Sequence, residues 1–430
     1  MKKYLIETYG CQMNTAESNA IELMLIGRGM VSTEAPNEAD AVILNTCSVR
    51  KTAENRIWGR LGFYSAIKKK RPIKLIVTGC MADRMKDDMK KECPFIDLVV
   101  SNNEKAKIPE YLLEDSFEKE AQYKFVQSYY KEGEFSSYIP IMNGCNNFCS
   151  YCIVPYVRGR EVSRDVQEII DEMKALDERG VREVTLLGQN VNSYSSEYNG
   201  EHVDFPKLLE LVTPYMKNIL WVRFESPHPK DFSDDLIRVI KENKKVAKHI
   251  HLPMQSGNTR ILQLMNRHTT REKFIALVEK MKAEIPELTL ATDVIVGFPS
   301  ETEEEYQETM SMMEIMNCSE AFMYYFNPRE GTRAAEMDGQ IDEKTKISRL
   351  EKLIDEQINR QKKNKEKQVP FDTTVIVTGT SRDDKDRYLG RNEHNEYFSL
   401  KSEKTLKPGD VVRVHATELS GNTFRGDEIV

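Results

Sequence analysis

Ile141-Met-Asn-Gly-Cys145-Asn-Asn-Phe-Cys149-Ser-Tyr-Cys152 carries three thiols at a C-x3-C-x2-C spacing on one loop. The loop follows a run, Tyr138 to Met142, that reads as a strand, so the three sulfurs can turn toward a common centre without the backbone doubling back. A tetrahedral zinc site needs a fourth ligand nearby, commonly from a second Cys or His pair, and none follows in the next forty or so residues. Three thiolates suit a 4Fe-4S cluster in which one iron is left open to a small molecule. The plainer alternative is a disulfide-bonded or incidental cysteine cluster.

With Tyr151 just before its last cysteine, this stretch resembles the signature of the radical S-adenosylmethionine (SAM) enzymes. The resemblance implies that Cys145, Cys149 and Cys152 hold a 4Fe-4S cluster whose open iron binds SAM, and that an electron from the cluster splits the sulfonium to give a 5'-deoxyadenosyl radical. The cofactor would carry the hard chemistry and the protein would aim it.

Outward from this loop the chain has 430 residues, room for two to four domains. Its composition, 40% hydrophobic and 30% charged, is that of an ordinary globular protein. No run approaches the ~20 apolar residues of a membrane span, and the start Met1-Lys-Lys-Tyr-Leu-Ile-Glu lacks a signal peptide's apolar core. These features predict a cytoplasmic protein with no membrane partner. In that reducing compartment, eight cysteines point to metal or redox chemistry rather than structural disulfides. A net charge of -7 argues against an indiscriminate nucleic-acid coat, though not against a local basic patch.

The N-terminal third repeats one unit. Strand candidates Tyr4 to Tyr9, Ala39 to Leu44 and Ile73 to Val77 each run into a cysteine: Gly10-Cys11, Asn45-Thr-Cys47 and Gly79-Cys80. The cysteines are 36 and 33 residues apart, one strand-helix-strand unit each. Asn14 is the expected N-cap of the first helix, which would run to about Gly27. If the strands are parallel, all three thiols leave the sheet at its carboxyl edge, where such sheets bind ligands. A second 4Fe-4S cluster on Cys11, Cys47 and Cys80 is the expectation; three buried structural cysteines are the alternative. Cys93 and Cys318 read as packing or surface residues.

Gly10-Cys-Gln-Met-Asn14, Asn45-Thr-Cys-Ser-Val-Arg50 and Thr78-Gly-Cys80 resemble the N-terminal domain of the methylthiotransferases, a family of radical SAM enzymes, and the likeness covers essentially the whole chain. The wording is that of the branch acting on isopentenyl-type adenosine beside the anticodon of tRNA.

After a charged connector (about 111 to 134), strands and helices alternate from Ser137 to about Pro328: Tyr138 to Met142, Glu183 to Leu187, Trp221 to Phe224, His249 to Leu252, Thr289 to Val296 and Ala321 to Phe326. Six such units predict a partial barrel with active groups at the carboxyl ends of its strands. The resemblance implies that Tyr151, Gln189, Asn190, Glu225, Ser226, Gln255, Asp293 and Gly297 line the SAM pocket; each could instead cap a helix or satisfy a turn. His228, His249 and His251 read as structural. Arg158, Arg160, Arg329 and Arg333 are candidates for holding the RNA, with a solvated surface as the alternative.

Ile341 to about Lys367 reads as one long charged helix. Beyond it, short alternating strands (Thr374 to Thr378, Tyr388 to Gly390, Glu396 to Leu400, Asp410 to His415) predict a small antiparallel β-barrel, similar to the TRAM domain that ends the methylthiotransferases. From residue 370 onward nine Lys and Arg face eleven Asp and Glu, so RNA contact must use a local face, with Arg387 and Arg391 the candidates beside His394 and Tyr388. A module that only packs on the barrel or binds protein is the alternative.

The expected architecture is therefore α/β: an N-terminal open parallel sheet (1–115), a central partial (β/α)6 radical SAM barrel (131–366) and a C-terminal barrel (369–430). The resemblance implies two SAM molecules per product, one methylating sulfur at the N-terminal cluster and one cleaved at the central cluster. It also implies a tRNA anticodon stem-loop as substrate, an electron donor such as flavodoxin or ferredoxin, and iron-sulfur or sulfur-delivery proteins. Two rivals stand beside it: methylthiolation of an aspartate in a small-subunit ribosomal protein, and a non-catalytic iron-sulfur redox protein.

Overall fold

The computed structural model describes residues 2–48, 51–113, 125 and 133–429. Most of the expected charged connector lies outside the described residues, as do Val49 and Arg50.

The N-terminal sheet is parallel throughout, in the order β2-β1-β3-β4-β5, with β1 Lys3–Thr8, β2 Val31–Ser32, β3 Ala41–Thr46, β4 Lys74–Gly79 and β5 Leu98–Val100. All six residues of β3 are buried, as a central parallel strand covered on both faces requires. Helices α1 (Gln12–Gly27), α2 (Lys51–Lys68) and α3 (Cys80–Arg84) follow β1, β3 and β4.

Six parallel strands build the central region: β6 Ser136–Pro140, β7 Glu183–Leu187, β8 Trp221–Phe224, β9 His249–His251, β10 Thr289–Val296 and β11 Glu320–Tyr325. They pair as two triplets, β8-β7-β6 and β9-β10-β11. At the seam, Val222 N donates to Lys245 O (2.7 Å) and Ala247 N to Val222 O (3.0 Å), so the array is continuous as an open half-barrel. Helix α4 (Val154–Arg158) follows the cysteine loop, and the long α5 (Glu343–Glu366) begins on Asp342, whose carboxylate accepts from Thr345 N at 2.9 Å.

The last strands, β12 Phe371–Thr380, β13 Tyr388–Asn392, β14 Tyr397–Lys401, β15 Val411–Ser420 and β16 Thr423–Glu428, close into a barrel in the order β12-β13-β14-β16-β15. Its first strand also pairs with β15. The pair β14–β16 is parallel, so the barrel is not purely antiparallel as expected: the chain crosses through β15 before returning beside β14. The turn between β13 and β14 plugs the underside of the half-barrel. Arg223 on β8 donates to Glu393 O (2.7 Å) and Asn392 O (2.9 Å), and Lys248 N donates to Glu393 Oε1 (3.0 Å).

Candidate active site

Cys11, Cys47 and Cys80 sit at the carboxyl edge of the N-terminal sheet, at the N-cap of α1, just past β3 and at the first residue of α3. The helix starts at Gln12, earlier than expected, and Asn14 is not its cap. Asn14 is buried and donates instead to Tyr9 O (3.1 Å) and Thr46 O (3.0 Å). Asn45 Nδ2 donates in turn to Asn14 O (2.9 Å), and Thr46 Oγ1 to Thr78 O (2.6 Å). Side-chain bonds thus stitch together the three segments that carry the cysteines. Gly10 makes room for the arrangement: a Cβ there would stand 2.5 Å from Cys47 Cβ and 3.0 Å from its Sγ.

The central cysteine loop is held as firmly. Gly144, at φ +84°, donates its N–H to Gln189 Oε1 (2.6 Å), and a Cβ there would meet Arg160 O at 2.1 Å. Ser150 N donates to Met265 O (3.0 Å), and Ala334 N to Ser150 O (2.8 Å). Tyr151 packs with Ile261, Met265, Phe298 and Phe326. Arg267, which the sequence did not single out, is buried with Nη1 3.7 Å from Cys149 Sγ and Nη2 2.8 Å from Pro253 O.

None of the eight cysteines is in a disulfide. Burial pushes Cys145 up to about 11, and burial together with Cys149 pushes Cys152 up to about 12. Thiols so desolvated give up their protons to a cationic partner rather than to water. Among the described residues no three His, Cys, Asp or Glu side chains gather as ligands of a single ion. An iron-sulfur cube is wider than an ion and takes thiolates that stand further apart. The donor set, all sulfur with a guanidinium alongside, fits a cluster.

The two triads belong to one interface. Cys80 packs with Ile153, the N-cap of α4, and with Val157 one turn on, and Asn102 Nδ2 donates to Val157 O (3.1 Å). Arg329, on the loop after β11, feels both Cys47 and Cys152, together with Glu54 and Arg84, while burial draws its own pKa below the ordinary value.

At the strand ends, Asn190 Nδ2 donates to Asp231 (2.9 Å) while its buried Oδ1 has no partner, an acceptor left for a ligand. Ser226 and Gln255 adopt φ +60° and +68°, left-handed turns that are costly for residues with a Cβ and that concentrate at functional sites. Gly297, at φ +70°, donates to Glu301 Oε2 (2.7 Å). His251, read from sequence as structural, lies between Glu225 Oε2 (3.0 Å) and Asp293 Oδ2 (2.9 Å). His228 and His249 are held neutral mainly by burial, down to about 2 and about 3.

The arginines divide. Arg158 does not face RNA: it is buried in α4 and pairs with Glu17 on α1 (2.7 Å), which also pairs with Lys105. Arg387 is spent inside the C-terminal barrel, donating to Ser399 Oγ (3.0 Å) and Ser399 O (2.8 Å). Arg391 pairs with buried Glu183 of β7, and His394 reaches Lys248 O at 3.3 Å, so both belong to the joint between the two barrels rather than to a free face. Arg160 and Arg333 are exposed, Arg160 lying over the Phe148 ring at 4.5 Å.

No helix among the described residues is long and apolar enough to cross a membrane. Residues 139–313 match the Radical SAM superfamily and residues 3–101 match Uncharacterized protein family UPF0004. A relative from Treponema pallidum (strain Nichols), named tRNA-2-methylthio-N(6)-dimethylallyladenosine synthase, is 43% identical over 447 residues, 98% of each chain. One of the same name from Bacteroides fragilis (strain ATCC 25285) is 42% identical over 441 residues, covering 100% of this chain and 96% of the relative. The fold is similar to that of TsrM, a radical S-adenosylmethionine methyltransferase from Kitasatospora setae, at TM-score 0.57 and 14% identity over 78% of this chain and 77% of that one.

Proposed function

The chain belongs to the tRNA-2-methylthio-N(6)-dimethylallyladenosine synthase family of radical SAM transferases, and from that membership we propose that it adds a methylthio group to carbon 2 of an N6-isopentenyl-type adenosine beside the anticodon. In this reading Cys145, Cys149 and Cys152 hold one 4Fe-4S cluster and Cys11, Cys47 and Cys80 a second, within a chain divided at 1–115, 131–366 and 369–430. With SAM, these groups would supply the one-electron chemistry that activates an unreactive C–H bond and would carry the sulfur that replaces its hydrogen.

The chain's own part is to bind, aim and shield. Gln189 fixes the cysteine loop through Gly144 N–H, and Asn190, Glu225, Ser226, Gln255, Asp293 and Gly297 offer SAM polar groups from the strand ends. Arg267 balances the negative charge of a cluster anchored at Cys149. Arg329 provides a cation between the two triads. A base of an anticodon loop is accessible or cheaply unstacked, so no duplex need be opened. The electron donor would be a flavodoxin or ferredoxin, sulfur would come from a delivery protein, and the site of action would be the cytoplasm.

One observation carries the reading: the packing of Cys80 on Ile153 and Val157, directly after Cys152. A redox carrier with two independent centres has no need of that contact, and the relatives' shared name favours RNA over a ribosomal protein as substrate. Nucleoside mass spectrometry of tRNA from a deletion strain, with and without the restored gene, is the test. Methylthio-adenosine should vanish and return; an unchanged level refutes the assignment. Iron and sulfide in anaerobically prepared protein should fall by about half in each of Cys11→Ala and Cys145→Ala.

A further inference from the structure

The seam between β8 and β9 is tied by backbone only near Val222; nearer the mouth of the half-barrel, among the described residues, no backbone hydrogen bond crosses it. Side chains cross instead. His251, the last residue of β9, sets Nδ1 3.0 Å from Glu225 Oε2, just past the end of β8, and Nε2 2.9 Å from Asp293 Oδ2 on β10. Both ring nitrogens therefore stand beside carboxylate oxygens, Nδ1 in a hydrogen bond to Glu225 and Nε2 in a charge contact with Asp293 that lacks hydrogen-bond alignment, so a charged ring is attracted from both sides. The His251 side chain is 15% exposed, against 33% for Glu225 and 25% for Asp293, so the imidazole sits beneath and the carboxylates reach outward.

From this geometry we infer that His251 is a positioning residue: its imidazolium bolts the seam and holds the Glu225 and Asp293 carboxylates in place to receive the ammonium and hydroxyl donors of SAM. The inference rests on the SAM pocket proposed above and adds the group that fixes its walls. Around the ring stand Glu225 from the β8 end, Asp293 from β10, Glu320 and Phe322 from β11, and His249 on its own strand. Burial opposes the charge, but the Asp293 and Glu225 carboxylates outweigh it and push His251 up to about 10. The ring's side of the bridge is thus charged throughout the neutral range and is lost as pH rises through that value.

The test compares anaerobically reconstituted wild type, His251→Ala and His251→Gln for iron content, melting temperature and SAM affinity by equilibrium dialysis, with and without added imidazole, between about pH 6 and 9. His251→Ala should lose about ten- to hundredfold in SAM affinity, the scale of hydrogen bonds to charged groups. Added imidazole should restore much of this at pH 6 and progressively less toward pH 9, where free imidazole is neutral, while wild type stays flat. His251→Gln, whose donors sit on one nitrogen and which carries no charge, should fall in between. SAM affinity equal to wild type in either variant overturns the inference, as does a loss in His251→Ala that imidazole leaves untouched at every pH. Wild type that takes up iron yet binds no SAM refutes the radical SAM pocket itself, a distinct result that brings the inference down with it.

Discussion

Arg158 of α4 reaches Glu17 of α1 at 2.7 Å, and both side chains are all but sealed from water, at 2% and 5% exposed. The pair ties the helix after one cysteine triad to the helix after the first cysteine of the other. Arg158 also donates to Asn14 Oδ1 (3.2 Å) and Asn143 Oδ1 (3.0 Å), so the same guanidinium touches the stitching beneath both loops.

Arg158→Met would take from buried Glu17 the guanidinium that pairs with it, and removing one partner of such a pair costs about 3–5 kcal/mol. Burial raises the Glu17 pKa, but Arg158 and Lys105 outweigh it and bring it to about 2, against an ordinary 4.5. A depressed carboxylate contributes stability that is complete above its ordinary value and drains away as pH falls from 4.5 toward 2. Urea unfolding of the variant should therefore show a lower midpoint at pH 7 and a shallower acid-dependent loss than wild type. An unchanged midpoint would remove the pair from any account of how the domains are held.

Gly79 sits at φ +98° immediately before Cys80, and a Cβ there would lie 2.2 Å from Thr46 O and 2.6 Å from Thr46 N. The obstruction is backbone of the neighbouring strand, which cannot swing aside. Gly79→Ala should destabilise the chain by about 1–3 kcal/mol and lower its iron by roughly one cluster's share, leaving the share held by the central loop. Full iron in a variant of normal stability would argue that Cys80 anchors nothing.

The periodic parts of this fold were open to reading in the chain because each strand runs into the feature it presents: β1, β3 and β4 into cysteines, and β6 to β11 into polar turns. Strand β16 was missed because Thr423-Phe-Arg-Gly-Asp-Glu428 buries only Phe424 and Gly426, too thin an alternation to recognise. The fates of the arginines were illegible for a different reason. Arg158 and Arg160 stand two residues apart, and what separates a buried ion pair from an exposed side chain is Glu17, 141 residues earlier. His251 likewise looks like any buried histidine until β8 and β10 bring their carboxylates to it.

Arg391 was expected to hold RNA and instead pairs with Glu183, whose side chain is wholly buried and also accepts from Arg223 at 2.7 Å. Arg391→Ala should cost about 1–3 kcal/mol by leaving a buried acceptor short of a partner. It should also expose the segment between α5 and β12 to limited proteolysis as the C-terminal barrel loosens. A proteolysis pattern identical to wild type would show that the joint holds without Arg391.

Arg160 differs from Arg391 in being solvent-facing, stacked on Phe148 within the central cysteine loop. A cation there is free to meet a phosphate, and each phosphate contact removed lowers the slope of log affinity against log salt by about 0.7–0.9. Binding of an anticodon stem-loop to Arg160→Ala, titrated by fluorescence anisotropy over a range of salt, should show that reduction. Arg387→Ala, whose guanidinium is engaged with Ser399, should leave the slope as it was. If the two variants behave alike, the RNA does not pass over the cysteine loop, and its phosphates must be met elsewhere, with Arg333 the remaining exposed candidate.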